Sequence, residues 1–147
     1  MSLAPDSPRA ARLQLLFAAG RTAWPALALD EPTFVAWATA AVPDVPNEQL
    51  NPADIFLVAA CLLDVPGAAR AFVEGPLAAA EPSVQRIITD PDARAELMQE
   101  LAVHLLTPGP SADPRLGQYD GRAPLRAWLR MTAARRALNK GRGKTKV

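Results

Sequence analysis

Apolar residues in this chain recur every three or four positions, and the stretches that do so are set off by proline. Proline is tolerated in the first turn of a helix, where its missing N–H has no partner in any case. Ser7-Pro8, Asp30-Glu31-Pro32, Asn51-Pro52, Asp90-Pro91 and Ala123-Pro124 therefore read as helix starts. The pattern predicts helices over about 8–19, 32–41, 52–63, 91–106 and 124–139, the first stopped by Gly20. Another begins at 67–73, is interrupted by Gly75 and Pro76, and resumes toward Ala80, with a short segment at 83–88 after it. Ile55 to Leu63 is apolar throughout and predicts a buried helix, but nine residues are too few to cross a bilayer. Between Thr107 and Tyr119, PGPSADPRLGQ reads as a loop. Alternation with period two is scarcely seen. The expected fold is all-α, a compact bundle of about six or seven short helices.

Composition supports helices and narrows the chemistry. The 147 residues include 15 Pro, which must punctuate many short helices, and half of all residues are hydrophobic, as in a globular chain. One Cys and one His exclude a disulfide framework and any Cys/His zinc site built from this chain alone. Arg9 and Arg12 precede only a brief LQLLFAAG stretch, a poor secretion signal, so the expected location is cytoplasmic with no membrane contact. No internal repeat is visible. A soft boundary in VPDVPNEQLNP, residues 42–52, divides an N-terminal helical extension (1–46) from a main domain (47–140), and 141–147 reads as a disordered basic tail.

Net charge changes the picture most. The total of +1 conceals 6 basic and 14 acidic side chains in residues 1–114, against 10 basic and 1 acidic in 115–147. A basic end on an acidic body points to a polyanionic partner for the end. In the last helix Leu125, Trp128, Leu129, Thr132 and Leu138 lie near one apolar stripe. Arg122, Arg126 and Arg130 repeat at i, i+4 and i+8, and Arg135, Arg136 and Lys140 extend the charge. Guanidinium groups so spaced can grip successive phosphates, and Tyr119 could offer a face to an unpaired base. The competing reading is a merely solvated helix face with Trp128 in the core. One acid in 33 residues favours nucleic-acid contact, because a solvated face normally mixes signs.

In PDARAELMQELAVHLL, Leu97, Leu101, His104 and Leu105 make one face, while Glu96, Gln99, Glu100 and Val103 occupy others. An acidic, partly apolar face suits docking on a basic protein surface; an ordinary amphipathic helix fits the spacing equally well. Catalytic patterns are lacking. Cys61 sits inside an apolar run, where a thiol is usually inert, so pairing it with His104 as nucleophile and base has little support. Gly143-Lys144-Thr145 imitates the end of a phosphate-binding loop, but Leu138 stands where its first glycine belongs. No catalytic residue, cofactor or metal is expected.

YDGRAPLRAWLRMTAARRALN, residues 119–139, resembles the second conserved region of bacterial RNA polymerase sigma factors, in particular the extracytoplasmic-function-like group of myxobacterial type. Upstream, AELMQELAVHLL is similar to that family's polymerase-docking helix, and NPADIFLVAACLLDVPGAARAFVEG to the helix pair that opens the region. WPALALDEPTFVAW, residues 24–37, looks like the extension such proteins carry. The resemblance implies a non-enzymatic helical module that docks on the clamp of the polymerase β′ subunit, melts the −10 promoter element and holds its non-template strand. It implies polymerase contact through Glu96, Gln99 and Glu100, and strand contact through Tyr119, Arg122, Arg126, Trp128, Arg130, Arg135 and Arg136. It leaves room for an anti-sigma or regulatory partner. Where the family's docking helix opens with an acidic pair, this chain has Ala95 and Glu96, and the helix-turn-helix domain that reads the −35 element is not expected in it. Two other classes stay open: a regulator that binds polymerase or another partner without reading a promoter, and a general basic binder of RNA or DNA.

Overall fold

The computed structural model describes residues 7–109 and 113–145, with side chains as far as residue 140. Among the described residues no β-strand forms, and the expectation of an all-α bundle holds. The α-helices are α1 (Pro8–Ala23), α2 (Glu31–Ala41), α3 (Pro52–Leu62), α4 (Ala68–Phe72), α5 (Glu81–Gln85), α6 (Pro91–Leu106) and α7 (Leu125–Thr145). Short 3-10 turns occupy Asn47–Gln49 and Arg115–Gln118, the second inside the stretch expected to be loop. No helix among the described residues is long and apolar enough to cross a membrane.

The proline starts of α1, α2 and α6 work as expected, each with a carboxylate or hydroxyl cap. Ser7 Oγ accepts from the Ala10 amide, Asp30 from Thr33 and Asp90 from Ala93, so donors that the first turn leaves unpaired are satisfied. Pro76 has no N–H and crowds the carbonyl four residues back. The helical path absorbs it by widening into a π turn, Val73–Leu77, then tightening into Ala78–Ala80 before α5. What the pattern reads as a break is a deformed but continuous helix.

Gly20 does not end α1, which continues to Ala23. Its role is packing: a Cβ there would lie 2.4 Å from Phe56 Cβ, so only glycine lets α1 and α3 approach this closely. Seven consecutive α3 residues, Ile55 to Cys61, are buried, and Phe17, Phe34 and Phe56 meet at ring separations of 5.6–6.0 Å. Leu13, Phe34 and Ala38 from the N-terminal helices share one apolar core with Leu97, Leu101 and Leu129, so the core is continuous across 42–52. Trp24 reinforces this by donating from Nε1 to the Ala53 carbonyl at 3.0 Å.

The start of α7 is built by α3. The Leu125 amide donates to Asp54 Oδ2 at 2.9 Å, a cap supplied by a residue 71 positions away. In return the Asn51 side chain donates to the carbonyls of Gly121 and Arg122, and the Asn51 amide also reaches Gly121. Gly121 has φ +90°, and a Cβ on it would lie 2.4 Å from Ile55 Cδ1. The clasp fixes where the basic helix begins. At the other end α7 runs on to Thr145, so 141–145 are helical rather than a disordered tail, and Lys146 and Val147 lie outside the described residues. Cations near a helix C-terminus favour such an extension.

Candidate nucleic-acid interface

On α7 the buried positions are Leu125, Leu129, Ala133 and Ala137, a strict i, i+4 seam. Trp128 and Thr132 flank the seam half-buried, whereas Leu138, expected in the apolar stripe, is 49 % exposed. At 100° per residue it falls about 220° round from Leu125, on the far side of the helix. Small alanines at 133 and 137 carry the contact instead.

Arg126, Arg130 and Arg135 are exposed, and among the described residues none of them forms an ion pair. Arg126 and Arg130 share a face, Arg135 lies about 140° round the helix from Arg130, and Arg122 does not continue the row. The helix begins three residues after it, and Arg122 sits in the preceding turn, its amide donating to Asp120 Oδ1 at 3.0 Å. Arg136 is half-buried and faces α6, 3.9 Å from Glu100.

Tyr119 also departs from expectation. It is 5 % exposed, its hydroxyl donates to the Ala123 carbonyl, and its ring meets Trp128 edge-on at 5.8 Å. Burial, with Asp54 and Asp120 nearby, pushes its phenol well above the usual range. A ring so enclosed offers no open face to a base; it braces Trp128 and the turn that carries Arg122. The sequence could not separate the two roles, because an aromatic beside a basic helix suits either.

On α6 the buried face is Leu97, Leu101 and Leu105, and Glu96, Gln99 and Val103 point outward, the last 61 % exposed. His104 is exposed and does not join the leucines. Glu100 turns toward α7, where both its oxygens accept from Lys140 Nζ at 3.0 Å. The two faces expected to serve different partners thus meet at this carboxylate. Between them runs a groove of about 710 Å³ with Glu96, Gln99 and Glu100 on one wall, Arg136 on the other, and Arg115 and Gln118 closing it.

Arg115 and Gln118 are the site residues that sequence reasoning missed. Their 3-10 turn is pinned by Leu116, fully buried, between Pro114 and Gly117. A lone leucine among prolines and glycines was the available signal, and it marks an anchored turn but not its neighbours.

Cys61 and His104 do not form a reactive pair. Burial raises the thiol to about 12 and leaves it inert at neutral pH, while His104 lies on the surface of another helix. Among the described residues no three His, Cys, Asp or Glu side chains group to hold a metal. Comparison with protein-family models, with curated proteins and with solved structures finds no match for this chain.

Proposed function

We propose that this chain is a promoter-binding module of the sigma region 2 type, which assists transcription initiation in the cytoplasm without catalysing a reaction itself. One observation carries the reading: α7 holds Arg126 and Arg130 on one face in solvent with no ion-pair partner among the described residues, in a segment with a single acid. A solvated structural helix would mix signs; an unpaired row suits a phosphate chain. Arg122, exposed in the preceding turn, is a further cation near the clasp but outside that row. Single-strand capture at the −10 element offsets part of the unstacking cost of a few kcal/mol per base. Trp128 and Tyr119 act by holding the helix in place. Glu96, Gln99 and Val103 form the surface for the polymerase β′ clamp, with acid and apolar groups side by side.

The test is a pull-down of the purified full chain with bacterial core RNA polymerase, repeated with Glu96→Arg and with Gln99→Ala. Binding that Glu96→Arg abolishes, together with preference for a −10 single strand over unrelated strands, supports the reading. Polymerase binding without strand preference replaces it with a sequestering regulator. No polymerase binding, with equal affinity for any strand, replaces it with a general nucleic-acid binder.

A further inference from the structure

Beside the groove lies a second, smaller pocket of about 270 Å³, and its chemistry differs sharply from that of its neighbour. The 3-10 turn contributes Arg115 and Gln118, and α7 contributes Trp128, Arg135, Arg136 and Asn139. His104 of α6 and Thr132 complete the wall, and no carboxylate lines it. The adjoining groove, by contrast, sets Glu96, Glu100 and Asp113 against Arg115 and Arg136. Arg115, Arg135 and Arg136 all line this small pocket, and its wall holds no acid to offset their charge. The nearest acid, Glu100, stands 3.9 Å from Arg136 and is already engaged by Lys140 at 3.0 Å.

We infer that this pocket is a binding site for a phosphate-bearing ligand of nucleotide size, held by Arg115, Arg135 and Arg136. Its volume is just below the range of about 300–1,000 Å³ typical of drug-sized ligands, which suits a ligand no larger than a mononucleotide. Arginine matches phosphate through its planar fork of donors, and three from two elements surround the group rather than touch one side of it. Trp128 supplies a half-buried aromatic surface already fixed by its edge contact with Tyr119, so little ordering is needed on binding. Gln118 and Asn139 each carry an amide that both donates and accepts, as a heterocycle edge requires. The site is distinct from the exposed row of Arg126 and Arg130 and does not depend on polymerase docking.

The protein carries its own reporter. His104 is the only histidine of the chain, so its ring signals are unambiguous. Its pKa is held below the ordinary value by partial burial first, then by the cations of Arg136 and Arg115. Arg135 of α7 lines the same pocket as His104, and Glu100 and Asp113 line the adjoining groove with it. An anion in the pocket neutralises the arginines and lets the imidazole protonate at higher pH. The occupied form then holds the His104 proton to higher pH than the empty one, so at a fixed charge on the ligand His104 favours binding at lower pH.

The experiment is an NMR titration of His104 in the full chain with pyrophosphate, with thymidine monophosphate and with a short single-stranded DNA, all at constant ionic strength. A saturable rise of the His104 pKa with pyrophosphate is expected, weakened about tenfold in Arg115→Gln/Arg135→Gln. The Arg126→Ala/Arg130→Ala chain is expected to keep the response, which separates this site from strand binding along α7. Saturation by thymidine monophosphate identifies a free nucleotide as the source; a response to DNA but not to the mononucleotide identifies a backbone phosphate. An unsaturable shift, or one that survives unchanged in Arg115→Gln/Arg135→Gln, overturns the proposal.

Discussion

The arginines of the N-terminal helices and those of α7 are the same residue put to opposite uses. Arg9 donates from Nη2 to the carbonyls of Thr39 and Val42, at 3.1 and 2.8 Å, and also pairs with Asp44. Arg21 reaches the carbonyls of Leu27 and Leu29, which the turn after α1 leaves without helical partners. Arg94, at the start of α6, does the same for Ile88 and Thr89. Each closes a loop by satisfying backbone acceptors. On α7 no loop needs closing, and Arg126, Arg130 and Arg135 stay in solvent. Where an arginine's donors already have acceptors within the fold, it belongs to the structure; where they do not, it remains available to a partner.

That contrast can be attacked from both sides. The largest effect should come from neither set of arginines but from the clasp that places the second: Gly121→Val puts a branched side chain at positive φ and into Ile55. It should cost more than about 3 kcal/mol and lower the melting temperature by more than about 5 °C in thermal unfolding followed by circular dichroism. Arg9→Ala, which strips the Thr39 and Val42 carbonyls of their side-chain partner and leaves Asp44 with Arg12 alone, should cost about 1–3 kcal/mol in urea unfolding. Arg126→Ala/Arg130→Ala should leave stability within about 0.5 kcal/mol while reducing the salt slope of single-strand binding by about one unit per lost phosphate contact. An unchanged slope would remove the phosphate-gripping role.

The smallest effect concerns acid. Asp44 is held below the usual aspartate value by its hydrogen bond from Arg12, with Arg9 adding to it. A carboxylate whose folded pKa is depressed stabilises the fold above its unfolded value of about 3.9, and that contribution is lost as pH falls further. Asp44→Asn should therefore flatten the acid limb of the stability curve slightly and leave neutral stability almost unchanged, since Asp44 is largely exposed.

How far this was readable in the sequence varies with the distance over which each feature is decided. Helix starts depend on a proline and, in α1, α2 and α6, one capping side chain within four residues; these and α3, which has the proline alone, begin where the signals put them. Gly20 was misread because a glycine ends a helix or admits a neighbour, and only the position of Phe56 tells which. The exposure of Arg126 and Arg130 follows from helical periodicity, but Arg122, which precedes Pro124 and the helix after it, lies in a turn held by Asn51, far away in sequence. Tyr119 fails for the same reason: its burial against Trp128 and beneath the turn is a tertiary fact. Arg115 joined the arginines of α7 through a turn that, on local signals, was indistinguishable from loop.

The Asp54 and Asn51 clasp has a bearing on how the molecule comes into being. Closing a loop of about 70 residues has an entropic cost that grows only slowly with length, but it must be met before any contact across it is gained. The first turn of α7 has its cap only once α3 is formed and seated, and α3 is the most deeply buried helix of the bundle. The first turn of the basic face is therefore expected to set late in folding, on a core already in place. A nascent or partly unfolded chain would carry the same arginines without their spacing, and would meet polyanions as a flexible cation rather than as a ruled surface.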